Sequence, residues 1–434
     1  MGSGTNDQIG LRCASMLLIH GANGGFDSLK TVFLSLSFKP AEVGVLSGLP
    51  PMLGIFLNPL VSAVCDVYGM HQLVLVLFTI IHACLRVSLL LPGLPSSCLA
   101  VLIVAYTLLF GPIVAIVDAS AIAALGDRYG SVRLFGSLGF GVLAFLCGGL
   151  VSLAGGPSAA GNFWSMVSLT FGLQLLCAVC FIKLDFSALK QGGGEGEQIK
   201  EERKAESRPS LLTFLREVSS VSTVHFFIVT FLNGALLGGL ATFLNMFLKE
   251  LGASGTLIGA AGLLGPVSEV VFFQVCDKLL QRLGLSGCLA AAQAAYLCRF
   301  TWYAALPMNL EYAESWFGIP RHLALWASLP SELLHGLCFA VSWTAILKFA
   351  KDVAPPGLQA SSITLVSTIH WGLGFGAGAW AIGLFVDMMG AHQAFGAAAA
   401  FSALNLGLTL LGSLCYGSEW SPPSQESLNH QKKE

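Results

Sequence analysis

The sequence predicts an all-α protein that crosses a lipid bilayer twelve times, its helices divided into two related bundles of six. Three observations carry this. The 434 residues are 55% hydrophobic and 11% charged, whereas an ordinary soluble domain is about 25% charged. So few charges cannot clothe a water-facing surface around a core this large, and lipid must cover it. Twelve mostly apolar stretches each reach the roughly 20 residues that a helix needs to span the hydrocarbon core. They begin near residues 13, 43, 72, 98, 134, 162, 219, 256, 286, 323, 358 and 392. Finally, the first six and last six stretches share residues in the same order at a nearly constant offset.

Residues 1–12 carry no basic patch, so the first apolar stretch reads as a retained span and not as a cleaved signal. Within it His20, Asn23, Asp27 and Lys30 stand at relative positions 0, 3, 7 and 10, which at about 100° per residue places them on one arc. The second span ends in a turn containing Asp66 and Gly69, the third carries Arg86, and the fourth carries Asp118 beyond a Gly111-Pro112 break. Arg133 opens the fifth. The sixth holds Cys177 and Cys180, which lack the second pair or nearby histidine that zinc would need. Residues 185–210, with Gln191 followed by three glycines and then Lys200-Glu-Glu-Arg-Lys, read as a disordered linker. It separates an N-terminal bundle (13–184) from a C-terminal bundle (211–416), with a tail at 417–434. The seventh span offers Thr242 and Asn245, the eighth Glu269 and the ninth Arg299. The tenth repeats the polar stripe with Ser328, Glu332, His335 and Ser342, and the eleventh aligns Thr364, Thr368, Trp371 and Phe375 along one face. Gly372, Gly374, Gly376 and Gly378 suit close helix packing.

Charge settles orientation and excludes some partners. If the loops alternate, one side of the membrane receives sixteen lysines and arginines and the other only Lys39, Lys249 and Arg321. Both termini and the linker are therefore expected in the cytoplasm, in a plasma or organelle membrane that the sequence does not choose between. A net charge of −2 without a basic stripe leaves no electrostatic footprint for nucleic acid. The twelve scattered cysteines read as core residues, and no metal or cofactor site is expected. Neither a Gly-x-Gly-Asp protease pair nor a His-rich di-iron set is present, so an enzyme is not expected.

The internal repeat gives those charges a setting. Gly44 and Pro51 match Gly259 and Pro266 at an offset of 215, Val64-Cys65-Asp66 matches Val275-Cys276-Asp277 at 211, and Arg86 matches Arg299 at 213. Asp118 pairs with Glu332 at 214, and Leu138-Gly139-Phe140-Gly141 recurs as Leu373-Gly374-Phe375-Gly376. Parallel six-helix repeats place a solute site between the halves near mid-membrane. A charge at the centre of a span costs about 2.5 to 3.5 kcal/mol, so Asp27, Lys30, Arg86, Asp118, Glu269, Arg299 and Glu332 should face that chamber or one another. Counted from the cytoplasmic ends, Asp27 lies level with Arg86 and Arg299 with Glu332, so one buried ion pair is expected in each half. Such pairs could merely lock helices. In the second half three titratable groups, Glu269, Glu332 and His335, share one arginine, and that imbalance invites a proton.

Over residues 12–415 the chain resembles the major facilitator superfamily. Tyr129-Gly130, Arg133, Gly136-Ser137 and Gly139-Phe140 are similar to the signature of the branch containing lactose permease and the proton-coupled nucleoside symporters. Glu332, Leu334-His335-Gly336, Phe339-Ala340 and Ala354-Pro355-Pro356 resemble the eukaryotic domain-containing protein 6-like group. The superfamily's loop pattern after the second helix keeps Asp66 and Gly69, but Ser62, Val67 and Met70 replace a glycine and two basic residues. The resemblance implies the major facilitator fold, with Asp66, Gly69 and Arg133 in gating. Lactose permease carries a carboxylate on its eighth helix, an arginine on its ninth and a histidine and glutamate three apart on its tenth. Glu269, Arg299, His335 and Glu332 occupy those helices here, with the last two in reverse order and without a mid-span arginine or tryptophan on the fifth helix.

The expected function is a monomeric secondary transporter that moves a small polar solute by alternating access in proton-coupled symport. Proton coupling is expected at Glu269, Arg299, Glu332 and His335. Solute binding is expected at His20, Asn23, Asp27, Lys30, Arg86, Asp118, Asn245, Thr368 and Trp371, although Asp118 also suits a gate. A uniporter of the same fold and a non-transporting receptor or scaffold are the alternatives.

Overall fold

The computed structural model describes residues 2–187, 219–354 and 358–420. Most of the expected linker and most of the expected tail lie outside these residues. Among them the chain is helical throughout, and ten helical runs are long and apolar enough to cross a bilayer. One of these, Gly255–Phe317, contains two spans, because Gly284 at φ 67° and ψ −179° breaks it. A further helix, Gly2–Leu34, is long enough but carries the polar stripe that lowers its hydropathy.

Twelve segments result. They are α1 (Gly2–Leu34), α2 (Pro40–Tyr68), α3 (His71–Ser88), α4 (Ser96–Leu125), α5 (Tyr129–Leu153) and α6 (Ala160–Lys183) in the first half. The second half comprises α7 (Val221–Glu250), α8 (255–283), α9 (285–317), α10 (Arg321–Val353), α11 (Gln359–Met389) and α12 (Ala391–Tyr416). All but the first begin within five residues of the start read from sequence; α1 begins eleven residues early.

The contacts obey the repeat. Within the halves α1 lies along α5 and α7 along α11; between them α5 meets α8 and α2 meets α11. Exchanging the halves maps each contact of a pair onto the other. Matched glycines make the close approaches: Gly44 lies on Ala379 and Gly383 of α11, and its mate Gly259 lies on Ala144 and Gly148 of α5. The α11 glycines divide by face, Gly374 and Gly378 against α7, Gly372 and Gly376 against α2.

The apolar cores show where the bundles join. One core runs through both halves at the end of the α1–α2 and α7–α8 turns, uniting Phe33, Phe163, Phe243, Phe247, Leu257 and Phe395. Toward the other end, which bears the termini, each bundle has its own core. Hydrogen bonds between bundles lie on the joined side: the Asn245 amide donates to the Ser28 carbonyl at 2.7 Å, Lys249 Nζ to Ser35 Oγ at 2.9 Å and Thr256 N–H to Ser152 Oγ at 2.8 Å. The molecule is closed on the turn side and parts toward the termini.

Residues 417–420, where the tail was expected to begin, dock on the C-terminal bundle. Trp420 is buried and donates its indole N–H to the Ser222 carbonyl at 3.0 Å. Ser286 N–H donates to the Ser418 carbonyl at 2.8 Å, and Lys348 holds Glu419 at 2.6 Å. This turn therefore touches the starts of α7 and α9 and the end of α10.

Candidate functional site

A cavity of about 410 Å³ lies between the bundles, lined by α1, α2 and α5 from one side and α7 to α11 from the other. That volume falls in the range of small-molecule sites. The local winding of α10 and α11 shapes it. Pro330 removes a helical donor, and the stretch Leu325–Leu334 tightens to 3₁₀ geometry. One turn later Ser268 of α8 enters the α10 ladder. Its hydroxyl takes the Gly336 N–H at 2.7 Å, which a regular helix would give to the Glu332 carbonyl. A side chain at Gly336 would strike the Ser268 backbone, so glycine permits this approach. Leu337–Val341 and Thr368–Gly374 then widen into π turns that present Phe339 and Trp371 to the cavity.

All four residues expected to couple protons meet at one wall. Arg299 is buried and donates through Nη2 to both oxygens of Glu332, at 2.7 and 2.8 Å. Tyr303 donates its hydroxyl to the same carboxylate. Arg299 Nη1 stands 3.1 Å from His335 Nδ1, and His335 Nε2 stands 2.9 Å from Glu269 Oε1. The guanidinium has donors only, so Nδ1 must accept; the ring proton then sits on Nε2 and is donated to Glu269. In this arrangement His335 is neutral, Glu332 is fully held, and Glu269 keeps one oxygen for the chamber.

The N-terminal half departs from expectation. Asp27 and Arg86 were expected to pair directly, but Asn23 stands between them. Arg86 donates to Asn23 Oδ1 at 3.1 Å, and the Asn23 amide donates to Asp27 Oδ2 at 2.7 Å. Asp27 instead pairs with Lys30 at 3.6 Å, one turn along α1. Arg86 itself is wholly buried, donating to the Ala22 carbonyl at 2.7 Å and lying over the Phe26 ring at 4.6 Å. Equal depth from the membrane surface did not fix the azimuth of the two side chains, and a shorter polar neighbour intervened.

Of the nine residues expected to bind solute, Asp27, Lys30, Asn245 and Trp371 line the cavity; His20, Asn23, Arg86, Asp118 and Thr368 do not. His20 takes a hydrogen bond from Arg133 at 3.2 Å, and Arg133 pairs with Asp118 at 3.8 Å, so these three tie α1, α4 and α5 together. Asn245 spends its amide on the Ser28 carbonyl across the bundle interface. Ser328 and Ser342, expected on the α10 stripe, also turn from the cavity, because 3₁₀ and π winding shifts their angles. Among the gating residues Asp66 bonds His71 at 2.8 Å, and Gly69 ends α2 at φ 65°.

Sequence reasoning missed Tyr303, Ser268, Ser47, Phe140 and Phe339. Tyr303 lies four residues after Arg299 and so on its face. Phe140 is the repeat mate of Phe375, and both line the chamber, one from each half. Both signals were in the sequence. Ser47 and Ser268 carried none that distinguishes them from other small helical residues.

Comparison with known proteins agrees with this architecture. The MFS_1 like family profile matches residues 16–397. The chain is 23% identical over 374 residues to the uncharacterized transporter YwbF of Bacillus subtilis, covering 85% of this chain and 84% of that one. It is 25% identical over 372 residues to maltose permease of Geobacillus stearothermophilus, covering 84% and 83%. A major facilitator superfamily domain-containing protein 6-like chain of Danio rerio is 22% identical over 208 residues, covering 47% of this chain and 34% of that one. Among solved structures the nucleoside transporter NupG superposes with a TM-score of 0.72 at 16% identity, over 93% of this chain and 98% of the other. A D-xylose-proton symporter gives 0.61 at 13% identity, over 96% and 98%. The chain belongs to the MFS_1 like family of the major facilitator superfamily, whose members are multi-pass membrane transporters and not enzymes.

Proposed function

We propose that this chain is a proton-coupled secondary transporter that carries a small polar solute through the central cavity by alternating access. One observation carries the coupling: Glu269 is the cavity carboxylate of the C-terminal half that no arginine holds. Glu332 is fixed by Arg299 and Tyr303, so the proton belongs on the free oxygen of Glu269, with His335 as its neutral neighbour. The sequence spread the coupling over Glu269, Arg299, Glu332 and His335; this reading narrows it to Glu269, with the other three positioning it. The named relatives handle maltose, nucleosides and D-xylose. For an uncharged solute of that kind, proton and solute ride together, which is symport. Sixteen basic residues on the side of the termini support a cytoplasmic location for both ends.

Uptake in proteoliposomes tests this reading. With an inward proton gradient the wild type should concentrate one of maltose, uridine or D-xylose. Glu269→Gln should lose accumulation and keep counterflow, because exchange needs no net proton movement. Loss of both would reject Glu269 as the coupling site, and accumulation indifferent to the gradient would reject coupling.

A further inference from the structure

The charged side chains that line the chamber do not all pair off. Its lining includes three carboxylates, Asp27, Glu269 and Glu332, against two fixed cations, Lys30 and Arg299. Asp27 with Lys30 and Glu332 with Arg299 account for four of them. His335 cannot neutralise Glu269 while its Nδ1 accepts from Arg299, since a second ring proton would point at the guanidinium. That leaves Glu269 as the lining carboxylate that no fixed cation contacts, with 19% of its side chain open to the chamber, where a monovalent cation can reach it. The buried Arg86 reaches Asp27 through Asn23 and does not reach Glu269.

Beyond His335 the same cavity wall is aromatic. Phe339 lies 6.3 Å from the His335 ring, Trp371 stands edge-on to Phe339 at 5.4 Å, and Phe375 follows Trp371 at 6.1 Å. All three line the cavity, and Trp371 is 37% exposed. A cavity wall that holds both a carboxylate without a fixed cation and aromatic rings attracts a cation doubly, through charge and through the aromatic quadrupole. From the other elements, Asp27 and Lys30 of α1 face the site as a pair with Arg86 of α3 behind them through Asn23, α2 contributes Ser47, α5 contributes Phe140, and α7 contributes Thr242 and Asn245.

We infer a second class of ligand for this chamber: a monovalent aromatic amine whose ammonium group takes the proton's place at Glu269 while its ring lies against Trp371 and Phe339. The inference rests on the proton site proposed above. Proton and ammonium compete for one carboxylate, so such an amine enters in exchange for a proton, one for one, whereas an uncharged solute travels with it.

The test uses three probes of one shape: 2-phenylethylamine, uncharged 2-phenylethanol and anionic 2-phenylacetate. Thermal shift and proton release to an external dye are recorded on the full chain in nanodiscs between pH 5.5 and 8. The amine alone should stabilise the protein, releasing about one proton per molecule bound. Its binding should strengthen as the pH is raised, because proton and ammonium compete for one carboxylate. Trp371→Leu should weaken binding about tenfold and Trp371→Phe much less. Glu269→Gln should abolish the amine's effect while leaving the unliganded melting temperature near that of the wild type, which shows that the variant is folded. Stabilisation by the alcohol or acid in preference to the amine overturns the inference, as does no stabilisation by the amine, amine binding without proton release, or amine binding retained in Glu269→Gln. Any of these alongside gradient-driven uptake of an uncharged sugar or nucleoside leaves the proposed transport intact; absence of gradient-driven uptake removes that reading instead.

Discussion

Three arginines in the membrane region each rest on the lone pair of a histidine: Arg299 on His335 at 3.1 Å, Arg133 on His20 at 3.2 Å and Arg86 on His82 at 3.5 Å. Each contact holds its imidazole uncharged, since the guanidinium cannot accept. The consequence is sharpest at Glu332. Replacing it with Gln leaves Arg299 buried without its counter-charge, a loss of about 3 to 5 kcal/mol, so Glu332→Gln should lower the melting temperature strongly and reduce exchange together with accumulation. Tyr303→Phe removes one hydrogen bond to a charged group and should cost about 1.5 to 3 kcal/mol. The same thermal assay checks both, and an unchanged Glu332→Gln would mean that Arg299 finds another partner. The charged residues themselves were legible in the sequence, because polar groups are conspicuous among apolar ones. Their pairing was legible only where two helices meet head-on, as for Arg299 and Glu332. Asn23 shows the limit: depth along a helix can be counted, but which neighbour wins a hydrogen bond depends on side-chain length and azimuth.

Helix by helix, the spans were readable because lipid imposes a length and an apolar composition on each. Departures from ideal winding were not. A fixed 100° per residue placed Ser328 and Ser342 on the cavity face of α10, but Pro330 and the intruding Ser268 hydroxyl rewind that helix. Ser268 acts from a different span, so no local pattern announces it. The glycines of α11 give a prediction at this scale. A methyl at Gly376 would lie 2.7 Å from the Gly48 carbonyl across the bundle interface, whereas one at Gly378 would strike Ala235 within its own bundle. Gly376→Ala should therefore shift the protein toward the form opened on the α1–α2 side. Spin labels on the exposed ends of α2 and α11 should report a longer distance there. Gly378→Ala should lower stability without that shift, and equal behaviour of the two would count against a hinge at this seam.

For the whole molecule, the repeat in the sequence was enough to anticipate two equivalent halves, since Gly44 and Gly259 make matching contacts. Which end of the molecule is shut was not foreseeable, because both states use the same residues. Alternating access requires the turn side to separate during each cycle. Ser152 Oγ lies 3.0 Å from Thr256 Oγ across that side, between α5 and α8. Cysteines at both positions, with exposed Cys84, Cys98, Cys298 and Cys415 replaced by serine, should form a disulfide on oxidation. Uptake should then stop and return on reduction. Continued uptake in the oxidised protein would mean that this end stays shut throughout.

The buried Trp420 has a practical corollary for anyone shortening or labelling this chain. A stop codon or fused reporter directly after Tyr416 would strip out the wedge that the first turn of α7, the Gly284 bend and Lys348 share. Trimming should instead begin at residue 421, and a chain ending at 416 should lose yield in membranes before any question of transport arises.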